Sequence, residues 1–130
     1  MRVILFQPQF AELVRAGTKT QTIRRTARCK PGDTLSLRRW TGKPYRSKQQ
    51  TLCVATCANV HTVLIQPDRI DIDGVPISQN GEDALARADG FRNVGEMLHW
   101  FGTTHGFPFK GEIIEWSNMT HETEAAPGRR

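Results

Sequence analysis

The sequence predicts an α+β domain: a small β-barrel of roughly five to seven short strands with two or three short flanking helices. Three observations carry this expectation. Several short runs alternate apolar and polar residues with the period of a half-buried strand. Helical spacing appears only in brief stretches. The length of 130 residues suits one domain with one core. Closing the strands on themselves is the simplest way to leave no strand edge exposed. The domain is expected over residues 1–117. Residues 118–130 are polar and aperiodic and read as a disordered tail.

The elements follow in order. Arg2 to Phe6 reads as a short buried strand that Gln7-Pro8 ends. Phe10, Leu13 and Val14 lie at helical spacing, and Gly17 is placed to stop the helix. Pro31-Gly32-Asp33 is a turn, and Thr34 to Trp40 alternates as a half-buried strand. Thr41 to Gln50 reads as a basic loop. Thr51 to Ile65 is a long strand with Leu52, Val54, Thr56 and Ala58 on one face, continued by Val60, Thr62 and Leu64. A strand that long in a small domain is expected to bend or bulge. Arg69 to Asp73 with Asp73-Gly74-Val75-Pro76 is a hairpin signal. Glu82 to Ala88 favours helix, and Asn93 with Glu96 forms a capping box for a helix carrying Met97, Leu98, Trp100 and Phe101. Glu112 to Trp116 reads as the final strand.

Charge is the most informative part of the composition. The formal net charge is +5. Residues 1–50 hold 12 Lys and Arg against 2 Asp and Glu, a net of +10. Residues 51–130 hold 6 against 11, a net of −5. Such segregation points to an anionic partner, nucleic acid first, with a basic surface kept for solubility as the plainer alternative. No apolar run reaches the roughly 18 residues of a membrane span, and Val3 to Phe6 is too short for a signal peptide. A soluble, cytoplasmic protein is expected, with no membrane partner. Cys29, Cys53 and Cys57 form no disulfide framework and no zinc spacing, so no metal and no cofactor is expected.

The least ordinary stretch runs from Gly17 to Arg25. It places Lys19, Arg24 and Arg25 among Thr18, Thr20 and Thr22. Arg offers forked donors for phosphate or a base edge, Thr an adaptable hydroxyl, Lys a point charge. Read from the residues, this is an anion- or nucleotide-binding segment, or else a solvated basic strand edge. A second candidate is the loop with Arg38, Arg39, Trp40, Lys43, Tyr45, Arg46 and Lys48, where aromatics between cations suit stacking of unpaired bases. Packing of Trp40 on the barrel end accounts for it equally well. His61, His99, His105 and His121 show no metal spacing and read as ordinary surface or cleft histidines. Trp100, Phe101, Phe107 and Phe109 read as core rather than as a ligand platform.

Residues 10–24, followed by Lys30-Pro31-Gly32-Asp33-Thr34-Leu35, resemble the ASCH domain family of the PUA-like superfamily. Gly17, Lys19 and Arg24 match its G-x-K-x-x-E-x-R motif, with Thr22 in the place of Glu. Asp89-Gly90-Phe91 with Glu96-Met97 is similar to the family's E-G-F segment, with Asp for Glu. The resemblance implies a PUA-like barrel with a cleft and a role in binding RNA or a modified nucleoside, through Lys19, Thr20, Arg24 and Arg25. The Thr22 variant resembles the small acetylcytidine amidohydrolase branch. There Lys19 would be the base, Thr22 the nucleophile and Asp89 the acid, with Glu82 and Glu96 as alternatives. A metal-independent ribonuclease is a further alternative. The spacing of Lys19 and Thr22 is odd, so a straight strand points them to opposite faces, and a turn near residues 19–21 is needed to unite them.

Overall fold

The computed structural model describes residues 1–120. Along the chain run β1 (Arg2–Phe6), α1 (Pro8–Ala16), β2 (Gln21–Arg24), β3 (Thr34–Trp40), β4 (Gln49–Gln66), β5 (Arg69–Ile72), β6 (Val75–Pro76), α2 (Gln79–Ala88), α3 (Val94–Thr104) and β7 (Phe109–Thr120). Among the described residues, seven strands and three helices make an α+β domain.

The fold is organised by β4. Its first half pairs antiparallel with β3, its last four residues pair with β5, and β7 lies along its other edge. The expected irregularity is present: the register shifts between Val54 and Thr56 and between Cys57 and Asn59. β1 joins β3 in parallel, and β2 joins β7 antiparallel. The ladder does not close. Among the described residues no pairing joins β1 to β2, so the sheet has an open seam where a closed barrel would have none. Arg24 spans that seam by a side chain, its Nη2 donating to the Leu5 carbonyl at 2.8 Å.

Two apolar clusters fill the interior. One gathers Ile4, Phe6, Val14, Leu35, Leu37, Cys53, Ile114 and Trp116. The other gathers Ile23, Ile65, Ile70, Leu85, Phe91, Met97, Phe101, Phe109 and Ile113. Phe10 packs against both. The inward positions of β4 are Cys53, Ala55 and Cys57, then Val63 and Ile65, with Leu52 also buried. The even-numbered face grouped from the sequence is therefore largely the outer one. Cys and Ala are small and fit where β4 is crowded by β3 and β7, and their low apolar signal hid the phase.

Caps follow the sequence closely. Pro8 opens α1 at a position where its missing N–H costs no hydrogen bond. Gly17 closes that helix in the left-handed conformation. Asn93 caps α3 by accepting from the Glu96 amide at 2.9 Å. The reciprocal arm of the box reaches Arg92 instead of Asn93, with Glu96 Oε1 accepting from the Arg92 amide at 3.1 Å. The closing strand β7 continues to Thr120, past the expected end of the final strand at Trp116. The rest of the expected tail lies outside the described residues. Among the described residues no helix is long and apolar enough to cross a membrane.

Candidate functional site

The Gly17–Arg25 segment folds around the ends of two helices. After Gly17 stops α1, the Lys19 amide donates to the Leu13 carbonyl at 3.0 Å. The Thr20 amide then donates to the Ala88 carbonyl at the end of α2, at 2.8 Å. Lys19 is thereby fixed before β2 begins and carried into the interior, where it is only 2% exposed. Its Nζ donates to the Asp89 carbonyl at 2.5 Å and lies 3.3 Å from Asp89 Oδ2. Asp89 ends α2, so the ammonium also meets the negative end of the helix dipole. The Phe10 ring lies 5.0 Å from Nζ and the Phe6 ring 6.0 Å. Gly90, at φ +100°, closes over the lysine stem; a Cβ there would sit 3.1 Å from Leu13 Cδ1 and 3.4 Å from Lys19 Cδ.

Asp89 is buried and receives a second donor, Gln21 Nε2, at 3.3 Å from Oδ1. Thr22 is buried on the opposite face of β2, and its Oγ1 accepts from Arg24 Nε at 3.2 Å. The parity expected of a strand thus shows as two polar groups. Lys19, Gln21 and Asp89 form one; Thr22, Arg24 and the Leu5 carbonyl form the other. Lys19 has no hydrogen bond to Thr22, yet both border the same space.

That space is a cavity of about 190 Å³. Lys19, Thr22, Arg24 and Asp89 supply its polar wall. Phe6, Phe10, Trp100, Phe101 and Phe109 supply its apolar wall, and Arg25 and His105 also line it. The Arg25 guanidinium is held 4.7 Å from the centre of the Phe109 ring. Burial pulls the Lys19 ammonium below its ordinary range, against the attraction of Asp89. Burial likewise pushes the Asp89 carboxyl up, against Lys19 and the Gln21 hydrogen bond. The Arg24 guanidinium is also lowered by burial. His105 is held toward neutral by burial and then by the nearby Arg25 charge.

Of the three acids considered from the sequence, Asp89 alone lines the cavity. Glu82 lies in the first turn of α2, and Glu96 is a half-buried partner of Arg92 at 2.8 Å. Thr20 contributes its backbone, and the residue is exposed. The second basic cluster stands apart from the cavity. Arg38 bonds Ser36 and Gln49, and Trp40 packs on Tyr45 with ring centres 5.1 Å apart. Lys43 and Arg46 lie exposed in the loop. Gln21, Phe6, Phe10, Trp100 and His105 were not singled out for the site from the sequence. Gln21 shares the parity of Lys19, a signal that could have placed it with Asp89; the aromatics are indistinguishable from core by spacing.

No family model matches the chain, and no curated protein is significantly similar to it in sequence. Among solved structures the chain is similar to a point mutant of the ZmASCH protein of Zymomonas mobilis, with a TM-score of 0.53 and 14% identity. The match covers 98% of this chain and 79% of that one. At that identity the likeness concerns the fold, which is ASCH-like.

Proposed function

We propose that this domain binds a nucleotide, free or within RNA, and takes its base into the cavity. The observation that carries this reading is the buried Lys19–Asp89 pair facing an aromatic wall, with Arg24 and Arg25 beside it. A base needs a flat apolar surface for its ring and directed polar groups for its edge. Phe6, Phe10 and Trp100 supply the first; Lys19, Asp89 and the Thr22 hydroxyl supply the second. The cavity is smaller than the roughly 300–1,000 Å³ of sites for drug-sized ligands, so it suits one base with its phosphate left outside near the guanidinium groups.

Titrating the four ribonucleoside monophosphates into labelled protein while recording amide shifts tests this. Shifts should concentrate at residues 19–25 and 89–91, and Thr22→Val should weaken binding by about fivefold or more for one lost neutral hydrogen bond. Absence of shifts at those residues with every nucleotide would overturn the reading.

A second reading has its own observation: Lys19, Thr22 and Asp89 border one cavity, and burial lowers the Lys19 pKa and raises that of Asp89 against their mutual attraction. An amide deacetylation would then run through these groups. Thr22 Oγ1 attacks the acetyl carbonyl of an acetylcytidine while its proton passes to neutral Lys19 Nζ. Collapse of the tetrahedral adduct breaks the C–N bond, and the departing amine takes the proton of Asp89. Water then frees acetate from Thr22, giving one proton to Asp89 as Lys19 returns its own to the threonine oxygen. This chemistry requires the lysine to exchange Asp89 for Thr22. Incubation with acetylcytidine decides it: release of cytidine that vanishes in Thr22→Val supports it, and nucleotide binding without release rejects it.

A further inference from the structure

The open seam between β1 and β2 is itself a groove. It holds about 500 Å³ and is lined on one side by residues 1–5 and on the other by Arg24, Thr26, Ala27 and Arg28, with Tyr45 at its border. Leu5 and Arg24 line both this groove and the cavity, so the two are continuous at that end. Among the described residues, three arginines, Arg2, Arg24 and Arg28, face the groove, and no carboxylate lines it. Two carboxylates lie at its margin: Glu112 Oε1 accepts from the Ala27 amide at 2.9 Å, and Asp33 Oδ2 lies 3.9 Å from the exposed Arg2 Nε, where such a contact contributes little. Tyr45 is 87% exposed. Its loop is stiffened by the Thr41 amide on the Lys48 carbonyl at 2.9 Å and by the Gly42 amide on Ser47 Oγ at 2.9 Å.

An unpaired strand edge invites another strand unless something prevents it. Here Arg24 already occupies the Leu5 carbonyl, and three guanidinium groups crowd the seam. A peptide backbone has no charge to meet them, whereas a phosphodiester backbone does. We propose that the seam carries a single-stranded polynucleotide, whose phosphates lie along Arg2, Arg24 and Arg28 and whose one base enters the cavity. A neighbouring base stacks on Tyr45. This rests on the reading of the cavity as a nucleotide site and extends it: the ligand is a nucleotide within a strand. The failure of the closed barrel then has a physical reason, because closure would fill the groove.

The experiment uses the full chain, a fluorescein-labelled RNA hexamer of mixed sequence and the four mononucleotides, across a salt series. The hexamer should bind at least about tenfold more tightly than the best mononucleotide at low salt. Its affinity should fall with a log–log slope near −2, from about 0.7 per phosphate for single strands over three contacts. Arg2→Gln with Arg28→Gln should flatten that slope by about 1.4 and leave mononucleotide binding unchanged. Tyr45→Ala should weaken the hexamer by about fivefold or more. These positions are exposed, and an unchanged thermal midpoint shows that the variants fold. Hexamer binding insensitive to Arg2, Arg28 and Tyr45 overturns the seam while leaving the cavity reading intact. Arginine-dependent hexamer binding without any mononucleotide binding supports the seam and overturns the cavity. A concentration-dependent dimer with no hexamer binding assigns the β1 edge to a second copy and overturns the proposal.

Discussion

Asp89→Asn isolates the electrostatics of the site. The change keeps the shape of the side chain and the main-chain carbonyl that accepts from Lys19 at 2.5 Å; it removes the negative charge and turns one of the oxygens facing Lys19 and Gln21 into a donor. Lys19 is then an unpaired ammonium at 2% exposure. Breaking one side of a buried pair costs about 3–5 kcal/mol. For a domain of this size each kcal/mol moves the Tm by roughly 3–5 °C, so a drop of about 10–20 °C is expected near neutral pH. Lys19→Met leaves the opposite orphan, a buried carboxyl. The two variants must respond to pH with opposite sign. In Asp89→Asn, burial alone keeps the folded lysine below its unfolded value of about 10.4. Between those values the unfolded chain binds more protons, so stability rises with pH. In Lys19→Met, burial keeps the folded carboxyl above its unfolded value of about 3.9. The folded chain then binds more protons, so stability falls as pH rises from about 4 to the folded value. Each slope can reach about 1.4 kcal/mol per pH unit. Thermal unfolding followed by circular dichroism from pH 4.5 to 9.5 measures both, and the double variant should lose less than the two singles together. Equal losses without opposing slopes, or strict additivity, would refute a desolvated pair.

Two further outcomes follow from the surrounding frame. A Cβ at Gly111 would collide with the Arg24 carbonyl and the Phe109 ring, where β2 pairs with β7. Gly111→Ala should therefore cost about 1–3 kcal/mol in chemical denaturation and move the amide resonances of Thr22 and Arg24. His61 sits between Asp73, at 2.7 Å, and Glu115, at 3.3 Å, and the Asp73 hydrogen bond raises its pKa. That contact contributes stability fully below about pH 6.5 and loses it as pH rises through the folded value. In His61→Gln, the decline of Tm above pH 6.5 attributable to this contact should disappear.

Much of the fold was legible because local signals and tertiary demands agree. Gly17, Asn93 and the Asp73-Gly74 turn each mark a backbone event that only a few residue types permit. The hairpin forms at the expected place, with β5 and β6 paired through Ile72 and Val75. The phase of β4 was not legible, because Cys53, Ala55 and Cys57 are buried by the strands that flank them and not by strong hydrophobicity of their own. The open seam was hidden for a different reason. Pairing between distant strands depends on twist and on what lies between them, and the arginine that bridges β2 to β1 reads in sequence as one more basic residue. At the site, the motif indicated Lys19, Thr22 and Arg24, but the side chains completing the cavity come from β1, α1, α3 and β7. Their aromatic character fits a core as well as a ligand wall, so only three-dimensional placement separates the two.

The charge split gains a location from the same geometry. The basic excess of residues 1–50 divides among three places: the polar wall of the cavity, the seam, and the loop around Tyr45. Among the described residues, the acids of the second half are spread over the hairpin, α2, α3 and β7, and a single carboxylate, Asp89, lines the cavity. That carboxylate is held by Lys19 and Gln21. Arg24 is bound through Nε and Nη2 to Thr22 and Leu5 and feels the Asp89 charge only at longer range, and Arg25 rests on an aromatic ring. At the junction of cavity and seam the Arg24 and Arg25 guanidinium groups are thus held in place by neutral partners. Beyond that junction the cavity presents a buried, paired lysine and aspartate. The nucleotide binding proposed above would place phosphate at the guanidinium groups and the base against the Lys19–Asp89 pair.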